Sequence, residues 1–225
     1  GKYLPEIKKC DISSVKGSVI VKDFSKEKFK MNLKSNKVNV IKILPGGVVT
    51  AKDTAEIELD ANGEFVRNPE VDLVKVAVVE RHQGTGNVAC GFLKGYGIKE
   101  GAVALSVAHD SHNIIVVGVN DEEMEFAVNS LIEQEGGIVL VKEGKVIESM
   151  PMPIAGLMSD QSGEWVDQKL TDIHEKAYEE LGICGDVEPV MTLCFMSLAV
   201  IPEIKLTDMG LFDVTTFSFI PVEVE

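Results

Sequence analysis

A chain of 225 residues is long enough for one large domain or two small ones, and it needs no disulfide or metal staple to hold a core. Its 22 basic and 36 acidic residues leave a net charge of −14, which repels phosphate backbones and anionic membranes and argues against nucleic-acid and lipid partners. Cys10, Cys90, Cys184 and Cys194 form no CxxC pair, so a zinc knuckle or redox motif is excluded and free thiols in a reducing cytoplasm are expected.

The opening "GKYLPEIKKC" has no initiator methionine and reads as a processed product or a piece of something longer. Residues 1–37 are lysine-rich ("VKDFSKEKFKMNLKSNK"), with little periodic apolar signal, and read as a linker or arm; the packed domain is expected over 38–225. "VNVIKIL", "AEIELDANGEFV" and "VDLVKVAVVE" read as strands, with Val38, Val40 and Leu44 marking an apolar face. Asn62-Gly63 signals a two-residue hairpin turn, because both residues tolerate positive φ. "NVACGFLKGYGI", "GAVALSVAH" and "NIIVVGV" follow as three shorter strands punctuated by glycines.

The first clear helix is "DEEMEFAVNSLIEQ", in which Met124, Ala127, Val128, Leu131 and Ile132 share one face, Asn120 caps the start and Gly136-Gly137 ends it. "GIVLVKEGKVIESMPMP" reads as a strand, a Glu-Gly turn and a strand, and a second helix is expected from about Gly163 to Leu181. "PVMTLCFMSLAVIP" fits either a buried strand or a buried helix and is too short to span a bilayer; "TTFSFIPVEVE" is a last strand. Many strands followed by alternating strands and helices predict an α+β fold, with helices packed on mixed or mostly antiparallel sheets.

Polar residues concentrate in "ERHQGTGN" (Glu80 to Asn87) and "AHDSHN" (Ala108 to Asn113), each at the end of an apolar run. If strands 71–79 and 102–108 share a sheet with their ends on one side, His82, His109 and His112 converge as candidate ligands for a divalent metal. Glu80, Asp110 or Asn113 would then orient the imidazoles. The competing reading is that histidines at strand ends anchor turns through backbone hydrogen bonds. "GTGN" opens no helix and reads as a turn rather than a phosphate cradle. Ser106, Ser111 and Cys90 lie near the histidines, yet no nucleophile elbow supports them. His174 is expected at a helix edge, and "PMPIAGLMSD" as a loop covering the core.

The stretch "VVERHQGTGNVACGFLKGYGIKEGAVALSVAHDSHNIIVVGVND", with "MPMPIAGLMSD" and "VIPEIKLTDMGLFDV", resembles the C-terminal domain of bacterial-type adenine deaminases in one colinear order from about Val38 to Val214. The resemblance implies a two-part enzyme, an amidohydrolase barrel with a binuclear manganese or iron centre followed by this α+β domain. Its implied reaction is deamination of adenine to hypoxanthine and ammonia by metal-bound hydroxide, a purine-salvage step in the cytoplasm. The barrel's HxH pair is missing, and such a barrel alone takes about 250 residues. The expectation is therefore a C-terminal portion, inactive alone, that packs against the barrel and takes part in a homo-oligomer. Arg81, His82, Gly84, Thr85, Gly86, Asn87, His109, Asp110, Ser111, His112 and Asn113 match the family's motifs as a ligand-binding or structural polar site. The alternatives are a metal- or purine-binding regulatory module without catalysis and, last, an independent hydrolase built on the same histidines.

Overall fold

A computed structural model describes residues 10–224. In chain order the strands are β1 (Lys37–Ile43), β2 (Thr50–Glu56), β3 (Glu58–Leu59), β4 (Phe65–Val66), β5 (Leu73–Val79), β6 (Val88–Lys94), β7 (Ala102–Leu105), β8 (Ile114–Gly118), β9 (Gly137–Lys142), β10 (Lys145–Pro151), β11 (Ile204–Thr207), β12 (Gly210–Asp213) and β13 (Ser218–Phe219). The helices are α1 (Asp121–Glu133), α2 (Gly163–Glu179) and α3 (Pro189–Cys194). Eight strands make one sheet in the order β10-β9-β7-β8-β5-β6-β1-β2, antiparallel throughout except for the β1–β6 pair. The α+β expectation holds, with no closed barrel, and no helix among the described residues is long and apolar enough to cross a membrane.

β5 lies inside the sheet and is buried along its whole length, which explains its nearly unbroken apolar sequence "LVKVAVV". Val74, Val76 and Val78 face the core beneath α2, α3 and the β11–β13 sheet, while Ala77 and Val79 face α1. On the α1 side the sheet offers small Ala77, Ala102 and Ala104, so Met124, Ala127, Val128 and Leu131 approach closely. Asn120 caps α1 by accepting the Glu123 N–H at 2.8 Å. Lys75 breaks the apolar run of β5, and its Nζ meets both carboxylate oxygens of Asp121 at 2.8 and 3.1 Å and the Phe29 carbonyl at 3.0 Å. This buried cation ties the sheet to the start of α1 and to the preceding segment. Val19, Val21, Phe24 and Phe29 of that segment lie on the same face, with Phe29 fully buried.

Two local readings differ from the sequence expectation, and one that was open between strand and helix is decided. Asn62-Gly63 does not form a two-residue turn: the Asp60 carboxylate accepts the N–H groups of Asn62 and Glu64 and opens a five-residue loop in which only Gly63 has positive φ. "PVMTLCFMSLAVIP" resolves as α3 followed by one 3-10 turn, Phe195–Ser197, with Glu188 capping α3. The last strand shortens to Ser218–Phe219, after which the chain turns and pairs with the start of β1 through Asn39 N–H to Val222 O at 2.7 Å and Val224 N–H to Lys37 O at 2.9 Å.

Gly101 sets the spacing between β7 and its neighbours. At φ +68 a Cβ there would lie 1.9 Å from the Val141 carbonyl oxygen, a backbone atom that cannot yield without moving β9. Gly101→Ala is expected to lower stability by about 2–4 kcal/mol, read as the urea midpoint of the isolated chain. An unchanged midpoint would show that the sheet absorbs the methyl group.

Candidate functional site

β5 and β7 both run antiparallel to β8, which lies between them, so their carboxyl ends point the same way. The segments 80–87 and 106–113 therefore meet at one end of the sheet, which fulfils the condition set on the strand order. Glu80 organises the first segment. Its carboxylate accepts the N–H groups of His82, Gln83 and Thr85 and the Thr85 hydroxyl, and Gly84 and Gly86 take φ +61 and +76, so "GTGN" is a turn wound on a carboxylate. Burial alone would raise the Glu80 pKa, but these donors outweigh it and bring it down to about 2.

Arg81 follows, fully buried and facing no carboxylate. Its Nε donates to the His112 carbonyl at 2.5 Å and its Nη2 to the Ala155 carbonyl at 3.1 Å. Both acceptors belong to residues in the left-handed region, His112 at φ +51 and Ala155 at φ +58. Such backbone costs about 1 kcal/mol or more per residue and persists only where its surroundings enforce it. The guanidinium is the enforcing element, and it joins the β7–β8 loop to the "PMPIAGLMSD" loop. Gly156 fits beneath it, because a Cβ there would lie 2.7 Å from Arg81 Nη1. Ser106 completes the join: its Oγ donates to the Gly156 carbonyl at 2.5 Å and accepts the Gly137 N–H at 2.7 Å.

The histidines gather at this end without forming a ligand set. His82 Nε2 donates to the Ser111 carbonyl at 2.8 Å, and the rings of His109 and His112 stand 6.1 Å apart. His109 stacks on Phe195 at 4.4 Å between ring centres, and its backbone is held by the Cys194 carbonyl and the Ser197 hydroxyl. His112 Nδ1 is buried with no hydrogen-bond partner; burial, then the neighbouring His109 and Arg81, push its pKa down, so it is neutral at pH 7. Among the described residues no three His, Cys, Asp or Glu side chains are placed to share a cation. The metal expectation for His82, His109 and His112 is thus not met in this geometry, because His82 is committed to a backbone carbonyl and His112 turns its free nitrogen inward. Nor is a nucleophile assembled: both Ser106 bonds are structural, and burial pushes the Cys90 thiol up to about 12.

Asn113 and Asn87 both donate to Asp208, at 3.2 and 3.5 Å, which brings the β11–β12 turn to the cluster. Asp208, Phe195 and Ala155 are members of this end that sequence reasoning missed, since each comes from a distant segment. The only signal was the presence of "MPMPIAGLMSD" and "KLTDMG" among the stretches that carried the resemblance. His174 sits away from the cluster, paired with Glu188 at the α2–α3 contact.

Residues 47–218 match the family described as the adenine deaminase C-terminal domain. The chain belongs to this family. It is 68% identical over 223 residues to adenine deaminase 2 of Desulfotalea psychrophila, covering 99% of this chain and 39% of that protein. It is 48% identical over 224 residues to adenine deaminase of Ligilactobacillus salivarius and 42% over 223 to that of Bacillus velezensis, again over nearly all of this chain and 39% and 37% of theirs. The chain thus spans about two fifths of the length of these curated relatives.

Within this adenine deaminase C-terminal domain the Arg81 clamp and the Glu80 turn are separable. Arg81→Lys replaces a fork by a single ammonium that cannot reach both carbonyls. It is expected to destabilise the chain by about 2 kcal/mol and to speed amide exchange in segments 109–113 and 153–157, leaving α2 unchanged. Glu80 has a depressed folded pKa, so its contribution is present above its ordinary value of 4.5 and fades as pH falls toward about 2. Glu80→Gln is expected to cost on the order of 2 kcal/mol at pH 7, with the gap to the parent narrowing between pH 4.5 and 3 in urea titrations. A gap independent of pH would remove the charge from the explanation.

Proposed function

We propose that this chain is the C-terminal portion of an adenine deaminase whose complete form hydrolyses adenine to hypoxanthine and ammonia, a purine-salvage step carried out in the cytoplasm. What carries the reading is 68% identity over 99% of the chain to a protein named adenine deaminase 2, with adenine deaminase recurring at 48% and 42%. In the reaction the oxygen of water ends on the ring carbon and the exocyclic nitrogen leaves as ammonia. A divalent cation, manganese or iron by the family resemblance, makes hydroxide available near neutral pH when bound. Its ligands lie outside this chain in our reading, because His82, His109 and His112 do not converge on a common point.

Among the described residues no set of cation ligands is assembled. Glu80 is spent on backbone amides, Ser106 on two loop contacts and Arg81 on two carbonyls. Their work is to hold the loops at the carboxyl ends of β5 and β7 in one shape while the domain packs against the catalytic part.

The test compares this chain with a longer protein in which the upstream three fifths of the Desulfotalea psychrophila relative precede it. Hypoxanthine and ammonia are expected from the longer protein only. Turnover of adenine by the short chain, or its absence in the long one, overturns the proposal.

A further inference from the structure

The described chain reaches its fold along the polar end of the sheet. Val15 accepts the Ala155 N–H at 3.2 Å, the Ile20 N–H donates to the Arg81 carbonyl at 2.8 Å, and Lys28 Nζ donates to the Gly86 carbonyl at 2.7 Å. Residues 15–28 thus run past each of the loops that Glu80 and Arg81 organise before Phe29 enters the core. Three apolar side chains surround those loops, each more than half exposed: Ile20 beside Gly84, Met158 at the end of the loop clamped by Arg81, and Met209 next to Asp208. They come from three distant segments, brought together by Arg81, Asn87 and Asn113. At the same end Asp110 projects, its side chain 83% exposed, from the loop that holds His109 and His112.

We infer that this surface, ringed by Ile20, Met158 and Met209 with the His109–Asp110 loop at its centre, is where the upstream part of the adenine deaminase docks. The inference rests on the proposed function and adds the face and its residues. Three observations select this occupant. The matched relatives carry about three fifths of their length beyond this stretch, and the matching family is described as a C-terminal domain, so that mass precedes it. Among the described residues, the segment 15–22 hydrogen-bonds to this end through Val15 and Ile20. The Arg81 clamp on the His112 and Ala155 carbonyls holds the exposed loops of this end in one shape. Methionine suits the rim, since its flexible thioether adapts to a partner surface. The opposite end of β5 also exposes Val66 and Val71, but the chain reaches that end later, through Asn32 and Leu33 on the β3–β4 loop, and not through residues 15–22.

Amide hydrogen exchange on the short chain and on the longer protein described above decides the matter. Segments 82–87, 109–112 and 155–160 are expected to exchange at least about tenfold more slowly in the longer protein. Met158→Glu and Met209→Glu are each expected to lower its adenine turnover about tenfold or more without moving the unfolding midpoint of the short chain. Val71→Glu, one length of β5 away, roughly 20 Å, leaves turnover within about twofold. Protection at 66–72 or 215–219 instead, or full turnover with both glutamates present, overturns the inference. So does self-association of the short chain in sedimentation with the same segments protected, which would assign the face to a second copy. An inactive parent long protein would refute the proposed function, while the exchange pattern would still answer for the docking face.

Discussion

The guanidinium of Arg81 is buried without a carboxylate, and the polar end of the sheet depends on how that charge is tolerated. Burial opposes the charge, and the acid that favours it is Glu80, its neighbour in sequence, whose own oxygens are occupied by backbone amides. The remaining compensation comes from carbonyl dipoles, here aimed inward by two sharp bends of the backbone. His112 and Ala155 supply those bends in left-handed conformations. Charge, strain and loop shape are therefore one constraint: remove the cation and two bent segments lose their reason to stay bent. Gly156 is part of the same arrangement, since any side chain there would occupy the space of the guanidinium.

The sheet determines where this happens. β8 returns between β5 and β7, so both strands deliver their carboxyl ends to one edge, and the first residues past each end are the polar ones. Because β5 is buried on both faces, Glu80 and Arg81 leave it already inside the molecule, where unpaired groups are expensive. The hydrogen bonds seen there follow from that position, with Asn113 at the start of β8 linking the Arg81 N–H to Asp208.

Much of this was legible in the sequence because it rests on local periodicity. α1 and its Asn120 cap, the buried run of β5 and the Glu143-Gly144 turn each obey a rule confined to a dozen residues. The convergence of 80–87 with 106–113 could be stated as a condition on strand order, and the order fulfils it. The partners of Arg81 could not be read, because Ala155 is 74 residues away and an alanine carbonyl leaves no trace in composition. That the three histidines are not assembled as a ligand group among the described residues has a related reason. Spacing places imidazoles near one another but does not reveal which ring nitrogen a backbone carbonyl has already taken. The Asn-Gly turn misled because Asp60, just upstream, offers the loop amides a stronger acceptor than the two-residue turn does.

The distribution of unspent chemistry at this end also bears on what the domain can do. Ser106, Glu80 and Arg81 are buried and Cys90 is half-buried, and all four are consumed by internal contacts. What reaches the surface is His82, the edge of His109 stacked on Phe195, Asp110, and the apolar groups of Ile20, Met158 and Met209. Stacking, single hydrogen bonds and apolar area are the elements of a contact surface, and none of them alone activates water at a purine ring. In the proposed reading, a domain that spends these groups on rigidity and leaves contact groups outside fixes the shape of a boundary, and the chemistry across that boundary belongs to the part it meets.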